Sequence, residues 1–207
     1  MAGRVKQWWK GRAAAGDAAS QLPLGSPPQL RVLMVCMGNI CRSPIAEGVL
    51  RAKLQQAGLH EEVLVDSAGT HGYHTAEPPD PRAIRQAAQR GYDIAGLRAR
   101  AVSADDYQRF DWLLAMDEAN LAWLRKRAPS AHGPGIELLL AQNCDEKSPG
   151  QRSQPVRHEV PDPYYGAPAG FDLVLDLVEA ACDRWVVRLA ADRSRTGVQT
   201  GLRREPG

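Results

Sequence analysis

Residues 32–44 read Val-Leu-Met-Val-Cys-Met-Gly-Asn-Ile-Cys-Arg-Ser-Pro, and no other stretch constrains the fold as much. The apolar run reads as a strand that ends on Cys36. Ser43 is a good N-cap and Pro44 a good first helical residue, so a helix should follow at once. Cys36 and Arg42 then bracket a tight loop between the carboxyl end of a strand and the amino end of a helix. Backbone N–H groups converge at such a place and the helix dipole favours negative charge, which suits a phosphate. Gly38 is expected to allow a backbone turn that a side chain would block. Arg42 offers a planar fork matching two phosphoryl oxygens. The same field favours a thiolate at Cys36. A bare C-x5-R pattern is common by chance, and a cysteine at a strand end is usually a small buried hydrophobe. The strand before, Gly and Asn within, and Arg-Ser-Pro before a helix make this instance far more specific.

Strand-like and helix-like stretches alternate through the rest of the chain, which predicts an α/β fold with a parallel sheet. The strands are expected at 31–35, 63–66, 110–115 and 136–140. The first helix should run from Pro44 to about Ala57, with Ile45, Val49, Leu50 and Leu54 inward and Gly58 as its stop. Further helices are expected at 81–89, around 103–108 from a Ser-x-x-Asp capping pattern, and at 117–127. Val174, Leu177, Val178, Ala181, Trp185 and Leu189 have helical spacing and predict a final helix over about 170–191. In open α/β sheets, sites lie beyond the carboxyl ends of the strands, where the Cys36 loop falls.

The chain of 207 residues divides into an N-terminal extension (1–30), one domain (31–192) and a C-terminal tail (193–207). Both ends are basic: Arg4, Lys6, Lys10 and Arg12 stand against Asp17, and Arg193, Arg195, Arg203 and Arg204 against Glu205. Composition reads both as disordered or weakly helical. Val5, Trp8 and Trp9 among basic residues could touch a membrane surface or a partner, although a solvated tail fits the composition better. The net charge of only +2 gives no sign of nucleic-acid binding. No apolar stretch approaches a membrane span and no secretory signal is evident, so stable membrane insertion is not expected. Cys36, Cys41, Cys144 and Cys182 show no disulfide framework and suit a reducing cytoplasm. The five histidines have no metal-ligand spacing, and neither metal nor cofactor is expected.

The segment around Cys36 resembles the signature loop of the low-molecular-weight protein tyrosine phosphatases. The resemblance extends through Asp66-Ser67-Ala68-Gly69-Thr70, Glu77-Pro78-Pro79-Asp80-Pro81-Arg82-Ala83, Leu114-Ala115-Met116-Asp117-Glu118-Ala119-Asn120-Leu121 and Val160-Pro161-Asp162-Pro163-Tyr164-Tyr165-Gly166, covering about residues 30–190. It implies a single four-stranded parallel sheet with helices on both faces and the phosphate loop after the first strand. It also implies hydrolysis of phosphotyrosine through a cysteinyl-phosphate intermediate. Cys36 would be the nucleophile, Arg42 the clamp on the phosphoryl group, and Asp162 the general acid that then activates water. Met37, Gly38, Asn39, Ile40 and Cys41 would line the loop. Ser43 would donate to the thiolate as well as cap the helix. Tyr73 would stand on one wall of a slot for the phenyl ring, Tyr164 and Tyr165 on the other. Ile40 stands where related protein-arginine phosphatases carry threonine, and an apolar residue there favours phosphotyrosine. Cys41 can form a disulfide with Cys36 in this family, although a loop-filling role is as good a reading.

One departure stands out: Leu97, in Gly96-Leu97-Arg98-Ala99-Arg100, occupies a position where relatives often carry a histidine that bonds the loop asparagine. Asn39 should then bond backbone, with outer support from Asn120, Ser67 or water. Asp117 and Asn120 read as structural residues that bond loop backbone. Partners implied are phosphotyrosine proteins, a bacterial tyrosine kinase among them. Alternatives on the same fold are an arsenate reductase, which needs relay cysteines that residues 67–115 lack, and a protein-arginine phosphatase. A non-catalytic phosphate-binding or redox-sensing module would have no need of Asp162.

Overall fold

β1 (Leu30–Cys36) is the centre of the molecule, with six of its seven residues buried. The computed structural model describes residues 30–129, 133–141, 158–166 and 169–200, with side chains as far as 192. Residues 1–29, Cys144 and residues 201–207 lie outside that range. After β1 come α1 (Arg42–Gln56), β2 (Val63–Gly69), α2 (Pro81–Gln89), α3 (Asp106–Arg109), β3 (Trp112–Ala115), α4 (Glu118–Arg127), β4 (Gly135–Leu138) and α5 (Ala169–Thr200). The strands lie in the order β2-β1-β3-β4, and every neighbouring pair is parallel. The expected four-stranded parallel sheet is therefore present.

The two-residue period of a strand divides the core. Val32, Met34 and Cys36 face a cluster that includes Ile45, Val49 and Leu50 of α1 and Phe171, Val178 and Trp185 of α5. Leu33 and Val35 face a second cluster with Tyr107, Phe110, Leu121 and Leu124. Each fully buried Leu, Ile or Val is worth roughly 1.5–3 kcal/mol. Both faces of β1 are thus held by helices, and its carboxyl end is fixed. Because β1 pairs with β2 on one side and β3 on the other, the chain leaving Cys36 emerges where the strand order reverses. That is the crevice in which open α/β sheets bind ligands.

Several boundaries differ from those expected. β2 runs past Asp66 to Gly69, because pairing with β1 continues until Cys36 stands opposite Gly69. Gly69 must be glycine: a Cβ there would lie 2.8 Å from Met37 O and 2.9 Å from His71 O. α3 is a single turn, and of its expected capping pattern only the Asp106 half forms, with Ser103 N donating to Asp106 Oδ2 at 2.7 Å. α5 runs on to Thr200, so residues 193–200, expected as part of a disordered tail, are helical. Apolar spacing stops at Leu189, but no proline follows until Pro206, and Ala and Arg favour continuing the helix. Among the described residues no helix is long and apolar enough to cross a membrane.

Candidate active site

The loop after β1 is assembled around the Cys36 thiol, which is 3% exposed. Asn39 N donates to Cys36 Sγ at 3.2 Å, and Ser43 Oγ lies 3.1 Å from the same sulfur. Two β2-side contacts pin the loop backbone, Thr70 N to Cys36 O at 2.9 Å and His71 N to Met37 O at 3.0 Å. On its other side Asp80 N, at the start of α2, donates to Ile40 O at 2.8 Å. The bend itself belongs to Asn39, whose φ is +58°. This corrects the role expected of Gly38. Its φ is not in the left-handed region, and what it provides is room, since a Cβ there would lie 3.1 Å from His74 Cδ2. Asparagine tolerates the left-handed region better than most side chains.

Asn39 is fully bonded without a histidine. Its Nδ2 donates to Ser43 Oγ at 2.9 Å and Ser67 Oγ at 2.8 Å, while its Oδ1 accepts from Arg100 N at 2.9 Å. Leu97 packs against the core instead. Of the supports expected for Asn39, Ser67 and backbone are present, and Asn120 is not one of these partners. Ser43 does not cap α1. Cys41 is the N-cap, without a side-chain cap bond, and Arg42, Ser43 and Pro44 form the first turn. The Ser43 hydroxyl is diverted from the helix end by Cys36 and Asn39.

Arg42 is 3% exposed and lies between two carboxylates. Its Nη1 donates to Asp117 Oδ2 at 2.6 Å and Val160 O at 3.3 Å, and its Nη2 to Asp162 Oδ2 at 2.8 Å. Burial alone would favour the neutral form, but Cys36, Asp162 and Asp117 outweigh it and hold the guanidinium charged. Asp117 therefore does more than bond loop backbone. One oxygen caps α4 through Asn120 N at 2.7 Å, and the other fixes the arginine.

The segment carrying Asp162 is tied to the body at Val160 and closed by a hydrogen bond within itself. Val160 N donates to Met116 O at 2.8 Å, and Tyr164 N to Asp162 Oδ1 at 3.1 Å. Arg82 adds a strut, with Nε and Nη2 on Asp80 at 3.0 and 2.7 Å and Nη2 on Tyr164 O at 3.0 Å. The Cys36 thiol, a buried arginine and a carboxylate from residue 162 thus meet at one strand end.

The model of the low molecular weight phosphotyrosine protein phosphatase family matches residues 31–195. A low molecular weight protein-tyrosine-phosphatase of Streptomyces coelicolor is 41% identical over 151 residues, 73% of this chain and 88% of the relative. The chain belongs to the low molecular weight phosphotyrosine protein phosphatase family. The crystal structure of a protein tyrosine phosphatase from Entamoeba histolytica, with Hepes in its active site, superposes with a TM-score of 0.71 at 35% identity. It covers 79% of this chain and 99% of that one. The tyrosine phosphatase Wzb from Escherichia coli K30, in complex with sulphate, superposes with a TM-score of 0.62 at 33% identity, covering 77% and 97%.

The three tyrosines expected to receive a phenyl ring are exposed on the phosphatase. Tyr73 is 75% exposed and stacks on His71, while Tyr165 is 96% exposed and meets Tyr164 edge-on. Met37 is half exposed, Ile40 packs on the core, and Cys41 is buried with its thiol pushed up, first by that burial and then by Asp80 and Cys36. The roles of Asp117, Arg82 and Gly69 escape a reading along the chain. For Arg82 and Gly69 the only signal was their place within motifs shared with the family.

Proposed function

We propose that the protein hydrolyses phosphotyrosine through a cysteinyl-phosphate intermediate. The observation that carries this reading is the Arg42 guanidinium, which holds Asp162 at 2.8 Å while its own chain segment wraps the Cys36 thiol. Loop N–H groups and Arg42 take the three equatorial phosphoryl oxygens, which carry the charge of the transition state. An arriving dianion competes for Arg42 and frees Asp162, which takes up the proton that the Cys36 thiol gives up on becoming the attacking thiolate. The Cys36 sulfur attacks phosphorus, the bond from phosphorus to the tyrosyl oxygen breaks, and Asp162 gives that oxygen its proton. In the second step the Asp162 carboxylate takes a proton from water. The water oxygen attacks phosphorus, the P–S bond breaks, inorganic phosphate leaves, and the thiolate is restored. Ser43 eases that departure by donating to sulfur.

Tyr73, Tyr164 and Tyr165 offer ring faces to a phenyl group, and Ile40 keeps the loop apolar, which favours phosphotyrosine over phosphoarginine. Phosphotyrosine proteins, an autophosphorylated bacterial tyrosine kinase among them, are the substrates this chemistry fits. The reduced thiol it needs suits the cytoplasm. A disulfide relay of the arsenate-reductase kind is less well served, since Cys182 is fully buried on α5. Purified protein should hydrolyse p-nitrophenyl phosphate and phosphotyrosine peptides in the presence of a chelator, and Cys36→Ser should abolish turnover. Turnover that survives the substitution, or that chelation removes, would overturn the mechanism.

A further inference from the structure

Glu159 stands just before the acid segment, is exposed, and has no place in the steps above. Its neighbour Val160 is fully buried and runs beside the backbone that leads from β3 into α4. Val160 N donates to Met116 O at 2.8 Å. A regular parallel pairing would add a second bond, from Glu118 N to Val160 O. That bond is replaced. Glu118 N donates to Glu159 Oε1 at 2.8 Å, so a side-chain oxygen stands in for the backbone carbonyl. Val160 O is left to accept from Arg42 Nη1 at 3.3 Å. The exchange matters because Pro161 has no N–H. The peptide between Val160 and Pro161 can be held only through its carbonyl. The residue after Pro161 is Asp162, whose carboxylate meets Nη2 of the same guanidinium at 2.8 Å.

We propose that Glu159 is a positioning residue: by occupying Glu118 N, its side chain leaves Val160 O free to bind Arg42, and so sets where Asp162 stands. The inference rests on the reading of Asp162 as the general acid. Glu118 is the first residue of α4, and its N–H is one of those a helix cannot satisfy within itself, where the dipole favours a carboxylate. Asp117 already caps the same helix through Asn120 N at 2.7 Å, with its other oxygen on Arg42 at 2.6 Å. The start of α4 thus takes two carboxylates with separate duties. Asp117 holds the guanidinium directly, and Glu159 keeps a second acceptor available to it. Without the Glu159 oxygen, Glu118 N turns to Val160 O. The carbonyl swings away from Arg42 and carries Asp162 with it. Arg42 keeps Asp117, so its hold on a phosphoryl group changes little, and the cost falls on proton transfer to the leaving oxygen.

The test compares Glu159→Ala with Glu159→Gln in the full-length protein, since glutamine keeps an acceptor oxygen at the same reach. Glu159→Ala should slow turnover of phenyl phosphate roughly threefold to tenfold, the worth of one hydrogen bond. It should affect p-nitrophenyl phosphate much less, because that phenol is acidic and needs little help to leave. Glu159→Gln should stay close to the parent for both esters. A purely structural role would lower both esters together. The NMR resonances of the Arg42 guanidinium N–H groups need no turnover. They should move in Glu159→Ala, which draws Val160 O away, and hold in Glu159→Gln. Should they do so in a parent that hydrolyses neither ester, the phosphatase reading alone would fail. Arg42 resonances that stay in place in Glu159→Ala, equal losses for the two esters, or a glutamine variant as slow as the alanine variant would overturn the proposal.

Discussion

The loop from Cys36 to Ser43 and the segment from Val160 to Tyr165 bring the two ends of the chemistry together, yet they are built in opposite ways. The first is bonded on every side, by Thr70 and His71 just after β2, by Asp80 at the start of α2, and from within by Asn39. The second is stiffened by Pro161 and Pro163 but reaches solvent, and Asp162 is held mainly by Arg42, the group a substrate must claim. An anion cradle gains from being rigid before the anion arrives, because no reorganisation is then required at the transition state. A general acid must change partners within one turnover, so few and exchangeable bonds serve it better. Damage to the first region should therefore weaken binding of every phosphoryl group. Damage to the second should depend on the leaving group.

The largest expected effect lies in the acid segment. Asp162→Asn should slow turnover of esters with poor leaving groups by about 10²- to 10⁴-fold, and far less for an acidic phenol that departs unaided. Equal losses for the two esters would erase the contrast between the regions. Next comes the cradle: Asn39→Ala should weaken vanadate binding roughly tenfold or more and slow all esters alike, since three buried hydrogen bonds go at once. Leu97→His should change that affinity little, because Asn39 is already satisfied. Tight vanadate binding by Asn39→Ala would mean that the loop holds its shape without the amide.

Smaller effects sharpen the comparison. Arg82→Ala removes the strut between Asp80 and Tyr164 and should lower turnover about threefold to tenfold for poor leaving groups, leaving phosphate inhibition intact. Should phosphate inhibition fall as well, Arg82 would belong to the cradle. Cys41→Ser should scarcely alter basal activity. After mild peroxide it should recover poorly with dithiothreitol, because Cys41 can trap a sulfenic acid on Cys36 as a disulfide. Full recovery of the variant would leave Cys41 a packing residue.

What the sequence disclosed follows the same division. The cradle is contiguous, so Cys36, Arg42 and the helix after them could be read from one stretch, and the strand and helix periods located the sheet around them. Asp162 was legible only through its family motif, because Asp-Pro by itself signals just a turn. Asp117 meets Arg42 across 75 positions and Arg82 meets Tyr164 across 82, and no local pattern records such contacts. Ser67 on β2 donates to Glu47 on α1 at 2.5 Å, a contact made only because the two elements lie side by side. The expected Ser43 cap and Gly38 bend erred for a related reason. Local propensity ranks a residue for one role, while the neighbours a fold supplies can claim the same group for another.

Rapid quench of the Asp162→Asn variant with an aryl phosphate whose phenol is acidic tests the central claim most directly. Formation of the intermediate then needs no acid, whereas its hydrolysis lacks a base. Phosphate should accumulate toward one equivalent per chain, and mass mapping of the quenched protein should find it on Cys36. A variant that turns over without accumulating phosphoenzyme, or that carries the label on another residue, would contradict the division of labour between Cys36 and Asp162.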